Sequence, residues 1–295
     1  MKRFLFTALL AICQTTMVLG GVMPWNQPTS PAEIALSDAV LSLIPEPQGL
    51  SVNPSLLPGV KWKGVNSSGV LWPLDIYGGS VSGVLPLAKL GVAAAGISYW
   101  NYGQLDAYDR LGNQTGTINP QAVSVLFGFG RRIYGQLCGG INLKGSRSSI
   151  GNNDDYSWGA DLAFNYDFSI LQATILLRDI GPRYPVNDSL KYDMLKTFSV
   201  GIKKSFLKDQ LAIGLQLNAA ETKKLHPLAG IEYSPLKAIT IRLGYDGDDT
   251  KPERSKLGLG FSFKQTGKQD YAVEYGYRSW GQLGTVQAMA LVMSF

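Results

Sequence analysis

The sequence predicts an all-β protein, a transmembrane antiparallel barrel of about fourteen strands, with a short N-terminal helical segment in or at its lumen. Three observations carry that expectation. Apolar and polar residues alternate with period two over one stretch after another. The connections between these stretches are alternately short and long. The 295 residues include 34 glycines and 14 tyrosines but only 17% charged residues, against roughly 25% in a soluble domain.

The first twenty residues, MKRFLFTALLAICQTTMVLG, read as a cleaved secretory signal. Lys2 and Arg3 are its charged start, Phe4 to Ile12 its apolar run, and Val18 and Gly20 its small-residue end. Cys13 does not make a lipobox, because Ile12 is too bulky before it. No later stretch is long and apolar enough for a membrane helix.

Residues 21–58 form a different segment, expected to plug the lumen or to pack on the barrel rim. In SPAEIALSDAVLSLI, Ser30 caps a helix, Pro31 and Glu33 occupy its first turn, and Ile34, Val40, Leu41 and Ile44 form an apolar stripe. Asn53-Pro54-Ser55 then opens a short helical turn that Pro58-Gly59 ends.

Residues 59–295 are expected to be barrel. In WGADLAFNYDF, Trp158, Ala160, Leu162, Phe164 and Tyr166 alternate with Gly159, Asp161, Ala163, Asn165 and Asp167. LAIGLQLN, ITIRLGYD and KLGLGFSFK repeat the pattern, as do the strands around them. Short connections such as RRIYG, SFLKDQ and SPLKA alternate with polar ones such as KGSRSSIGNNDDY and YDGDDTKPERS. Outer-membrane barrels keep that order, with short periplasmic turns and longer outer loops; a soluble sandwich has no reason to.

Hydrocarbon offers backbone groups no water, so strands cross it only in a closed sheet. The uniform Leu/Ile/Phe face is then the lipid face. The mixed face lines a polar interior with Lys144, Asp161, Arg178, Arg242, Lys256, Glu274 and Arg278. In TVQAMALVMSF, Met289, Leu291, Met293 and Phe295 form the outward row of a last strand and the signal for the barrel-assembly machinery.

Other chemistry finds little support. Removing the signal leaves Cys138 and His226 far apart, with no disulfide framework, metal cluster or nucleophilic set. His226, beside Pro227, reads as a loop residue. DGDDTKPERSKL opens like a calcium loop but has Leu257 where glutamate is needed. GFGRR and GLGLGF lack dinucleotide spacing, so their glycines serve curvature and interior space. The net charge of +5 is spread over turns, unlike a nucleic-acid site. We expect no enzyme, no cofactor and no nucleic-acid partner.

Several stretches resemble the PorV/PorQ family of outer-membrane proteins, itself similar to FadL fatty-acid transporters. They are GISYWNYGQLDAYDRLGNQTGTI (96–118), INLKGSRSSI with YSWGADLAFNY (141–166), LLRDIGPRY (176–184), Asn53-Pro54-Ser55 and the closing hairpin YGYRSWGQLGTVQAMALVMSF. Asp179 stands where the family has asparagine, and SDAVLSLIPEPQGLSV replaces its Gly-Gly-Ala and Ala-Asp-Asp-Ala run. The loop pattern is closer to PorQ. The resemblance implies a fourteen-stranded outer-membrane barrel whose Asn53, Pro54 and Ser55 lead into the lumen. It also implies a role in type IX secretion or surface attachment of cargo, with secretion components or cargo as partners beside outer-membrane lipid. A FadL-like channel for hydrophobic small molecules is the alternative.

Overall fold

The computed structural model describes residues 23–43, 52–109, 111–151, 153–182, 184–185, 191–192, 196–220, 225–248, 255–267 and 269–295. The expected signal and Ile44 lie outside them. The strands are β1 (Gly64–Leu71), β2 (Tyr77–Pro86), β3 (Val92–Asn101), β4 (Leu105–Tyr108), β5 (Gln114–Ile118) and β6 (Gln121–Tyr134). Next come β7 (Leu137–Ile150), β8 (Asn153–Asp167), β9 (Gln172–Ile180), β10 (Tyr184–Pro185), β11 (Lys191–Tyr192) and β12 (Thr197–Phe206). The last are β13 (Leu211–Ala220), β14 (His226–Leu236), β15 (Ile239–Asp246), β16 (Leu257–Gln265), β17 (Asp270–Ser279) and β18 (Thr285–Ser294).

Fourteen of these strands close one antiparallel barrel, and β4–β5 and β10–β11 form separate two-stranded ribbons in its long connections. Closure is made by β18 against β1, from Gly64 opposite Ser294 to Leu71 opposite Gln287. The barrel sheet leaves no strand edge open, which is the condition for lying in hydrocarbon.

Period two decides which way each side chain points. On β16, Leu257, Leu259, Phe261 and Phe263 are exposed on the outer wall, while Gly258, Gly260 and Ser262 face inward. On β18, Met289 and Leu291 point outward and Ala288, Ala290 and Val292 are buried. An outer wall so apolar is built for lipid contact.

Two expectations about local structure change. The stretch 144–156 is not a polar loop: β7 and β8 pair continuously out to Ile150 and Asn153, forming the tallest hairpin of the wall. Cross-strand contacts such as Arg147 Nη2 to Asp154 Oδ2, 2.7 Å, let polar residues extend the ladder into solvent. His226 heads β14 opposite Asn218 instead of lying in a loop, and its Nδ1 sits 3.4 Å from Asp248 Oδ1.

The N-terminal segment lies inside the barrel, not on its rim. Ala32, Ala35 and Leu36 are fully shielded from solvent. Helix α1 (Pro31–Ala35) starts with a capping box: Ser30 Oγ accepts from the Ala32 and Glu33 amides, and Glu33 Oε2 accepts from the Ser30 amide. The helix is one turn, shorter than the stripe through Leu41 predicts, because Ser37 and Asp38 enter the left-handed region at φ 51° and 68°. The chain then follows the curved wall, as a straight helix would not.

Candidate functional site

The lumen and the segment that fills it are the candidate site. Contact between them depends on what the wall lacks. Gly214 faces Gly230, Gly230 faces Gly244, Gly244 faces Gly258, and Gly260 faces Gly276 across neighbouring strands β13 to β17. These inward glycines form a smooth trough that admits backbone. Pro31 sits over Gly276, Ile34 over Gly258, the Leu36 carbonyl over Gly244, and Leu43 over Gly214 and Gly230. Further round, Leu41 and Ser42 lie on Gly201, and Pro54 on Gly140 and Gly130. The hatch therefore circles the inside of the barrel.

Polar clamps fasten it. The Leu41 amide donates to Gln216 Oε1 (3.0 Å), and the Ser42 hydroxyl bonds Thr174 Oγ1 (3.2 Å). Asn53 Nδ2 donates to the Leu41 carbonyl (2.6 Å), while its Oδ1 accepts from the amide and hydroxyl of Ser55. Asn53, Pro54 and Ser55 are all buried, at a 3-10 turn spanning Pro54–Gly59. Arg178, facing inward, donates from Nη2 to the Val52 carbonyl at 3.1 Å.

Three charge clusters lie in the lumen among the described residues. Lys144 Nζ is 2.6 Å from both Asp161 Oδ1 and Asp179 Oδ1. Asp179 also accepts from Trp25 Nε1 (2.9 Å) and Asn26 Nδ2 (2.5 Å), so the cluster holds the start of the hatch. Arg242 pairs with Glu232 (2.8 Å) and Glu274 (3.1 Å). Arg278 pairs with Asp246 (2.8 Å) and with Asp38 of the hatch (3.4 Å). Buried charges persist only when paired this way, since each loses its hydration.

Asp179 is reached through a defect in the wall. The β8–β9 ladder shifts register between Ala160 and Leu162, and Asp179 itself takes φ 64°. That bulge turns the Asp179 side chain inward beside Asp161, whose Oδ1 accepts the Asp179 amide at 3.0 Å.

Six of the seven residues expected to line the lumen face inward: Lys144, Asp161, Arg178, Arg242, Glu274 and Arg278. Lys256 precedes β16 in an exposed bend, where its carbonyl accepts from the amide of Asp246 at 2.7 Å. On the last strand, Met289, Leu291 and Phe295 are exposed on the outer wall and Met293 is half-buried there; the Phe295 amide bonds the Lys63 carbonyl at 2.9 Å.

Sequence reasoning missed an aromatic cluster at the long-connection end. Trp72 packs edge-on against Trp100 at 5.9 Å between centroids and against Trp280 at 5.0 Å. Ile76 and Tyr102 join them, with Ile34 of the hatch and Val70, Val286 and Ala288 of the wall in the same apolar group. The indole N–H groups of Trp72 and Trp100 are buried without hydrogen-bond partners among the described residues. Tyr102 Oη donates to Gln27 Oε1 (3.1 Å), and burial raises its phenol pKa above the usual value. The signal was the recurrence of tryptophan at strand ends, just after β1 and β17 at 72 and 280 and next to the last residue of β3 at 100.

No protein-family model matches the chain, and no curated protein matches it by sequence. Solved structures do match it. The Ralstonia pickettii toluene transporter TbuX superposes with TM-score 0.65 at 11% identity, over 92% of this chain and 98% of that one. The Pseudomonas putida toluene transporter TodX gives 0.61 at 12% identity, over 95% and 99%. A Pseudomonas aeruginosa FadL homologue gives 0.59 at 11%, over 94% and 99%. Resting on this full-length likeness and on its own closed wall, the chain has the fold of the FadL-type outer-membrane barrels.

Proposed function

We propose that the protein is an outer-membrane channel for small hydrophobic molecules, closed by its N-terminal hatch. The observation that carries this reading is the cluster of Trp72, Trp100, Trp280 and Tyr102 at the outer mouth, directly against Ile34 of the hatch. An apolar molecule leaving water gains about 25 cal/mol per Å² of surface it buries there, and the aromatic faces favour flat ligands. The shared fold with two toluene transporters supports the same direction. Passage then needs the hatch to move, since its backbone fills the lumen against the glycine trough.

The test is binding and flux. Purified protein titrated with a monoaromatic hydrocarbon and with a long-chain fatty acid should show saturable quenching of tryptophan fluorescence by at least one of them. Proteoliposomes should admit that ligand faster than empty vesicles. Absence of both responses refutes the channel reading.

A second reading has its own support. The hatch is fixed by the Arg278–Asp38 ion pair and by hydrogen bonds from Trp25 and Asn26 to Asp179, and the lumen wall beside it is charged. A barrel locked in this way suits a scaffold of the PorV/PorQ type, acting in type IX secretion or surface attachment. Mild detergent extraction followed by recovery of secretion components favours the scaffold; bound hydrophobic ligand alone favours the channel.

A further inference from the structure

Where the hatch leaves the lumen it runs beside the β2–β3 turn and the last residues of β6. These segments enclose a cleft of about 340 Å³, lined by Lys61, Lys89, Arg131 and Arg132, with Pro58 and Val60 among its apolar walls. Cations this close repel one another unless an anion screens them. The cations buried in the lumen at Lys144, Arg242 and Arg278 are paired with carboxylates, and so is the exposed Lys264. Among the described residues, none of the four cations of the cleft forms an ion pair.

Position along the wall identifies the anion. Arg131 continues the outward row of β6 that carries the 60% exposed Phe127, and Leu85 is exposed on neighbouring β2. A cation at the end of a lipid-facing row extends its head to the headgroup layer while its stem stays on apolar surface. The cleft lies at the short-turn end, which faces the periplasm in such barrels, and so meets the phospholipid leaflet of an outer membrane. We propose that this cleft binds the phosphate headgroup of an anionic phospholipid, whose acyl chains lie along the outer wall beside Leu85. The headgroup would bridge the hatch exit at Lys61 to the wall at Arg131. This rests on the barrel spanning a membrane and not on what its lumen carries.

Native mass spectrometry of the full chain in mild detergent tests it, with phosphatidylglycerol and phosphatidylcholine of matched acyl chains as probes. The wild type should retain phosphatidylglycerol preferentially. The variant K61Q/K89Q/R131Q should retain on the order of a hundred-fold less of it, the loss of three interfacial cations at roughly 1 kcal/mol each, with heat-modifiable gel migration unchanged. If that variant fails to assemble, K61Q/K89Q, which alters only residues outside the strands, should show the same direction of loss. K204Q/K208Q, near the end of β12 and in the turn after it, should retain the lipid like the wild type. Equal retention of the two lipids, or wild-type retention in the cleft variants, overturns the proposal. An equal loss in K204Q/K208Q would assign binding to the whole rim and also overturn it. So would ready displacement of the lipid by equimolar inorganic phosphate, which marks a small-anion site.

Discussion

The carbonyl of Leu36 occupies the space that a side chain on Gly244 would need; a Cβ built there overlaps the Leu36 backbone. Gly244→Val must therefore lift the hatch from the trough while its wall hydrogen bonds remain. Overpacking of this kind costs about 1–3 kcal/mol, paid in hatch seating and not in the ladder. We expect an assembled barrel with wild-type heat modifiability, faster proteolysis between residues 23 and 60, and larger single-channel conductance. Gly69→Ala, where nothing lies within 4 Å of the added carbon, should leave both readouts unchanged.

Lys144 sits between two carboxylates, and removing it strands both. Lys144→Met should destabilise by roughly 3–5 kcal/mol, the cost of leaving buried charge without its partner. Thermal unfolding in detergent measures the loss. The triple variant Lys144→Met, Asp161→Asn, Asp179→Asn should recover much of it, because no uncompensated charge then remains. A triple variant as unstable as the single one would mean that packing around Trp25, not charge, governs this corner.

Strand parity in the sequence placed Lys144, Asp161, Arg242, Glu274 and Arg278 in the lumen, because alternation is a local property that tertiary context seldom reverses. Lys256, one residue before a strand, is solvent-exposed where the backbone bends. The glycines of GLGLGF were legible as interior space but not as a trough, since their cross-strand alignment depends on register over five strands. The short helix was misjudged in length for the same reason: the wall, absent from any local window, takes over the backbone after Ala35. The aromatic cluster brings together three tryptophans far apart in the chain: Trp72 and Trp100 meet through the β1–β2–β3 pairing, and closure of β18 on β1 adds Trp280.

Trp100 is fully buried between the hatch and the outer mouth. Under the channel reading, Trp100→Ala should weaken ligand binding by about 1 kcal/mol or more, the order of an aromatic pair contact, measured by fluorescence of the remaining tryptophans. Tyr102→Phe removes the hydrogen bond to Gln27 and keeps the ring. It should leave ligand affinity nearly unchanged but loosen the hatch by about 1 kcal/mol, read as faster proteolysis near residue 27. Unchanged affinity in Trp100→Ala would remove the aromatic cluster from the binding site.

Leu291 stands on the outward row of β18, opposite Ser67 of β1 at the seam that closes the barrel, and it is 44% exposed on the bare protein. In a bilayer that surface meets hydrocarbon. Leu291→Arg should cost roughly 2–4 kcal/mol if the residue lies near the midplane, at the seam that closes the barrel. We expect export to continue while heat-modifiable barrel falls and unassembled chain accumulates. Ala290→Ser, its neighbour on the inward face, should assemble normally because a small hydroxyl there meets the polar lumen. If Leu291→Arg assembled as well as Ala290→Ser, the outer wall would not be a lipid face, and the membrane reading of the apolar row through Met289, Leu291 and Met293 would fail with it.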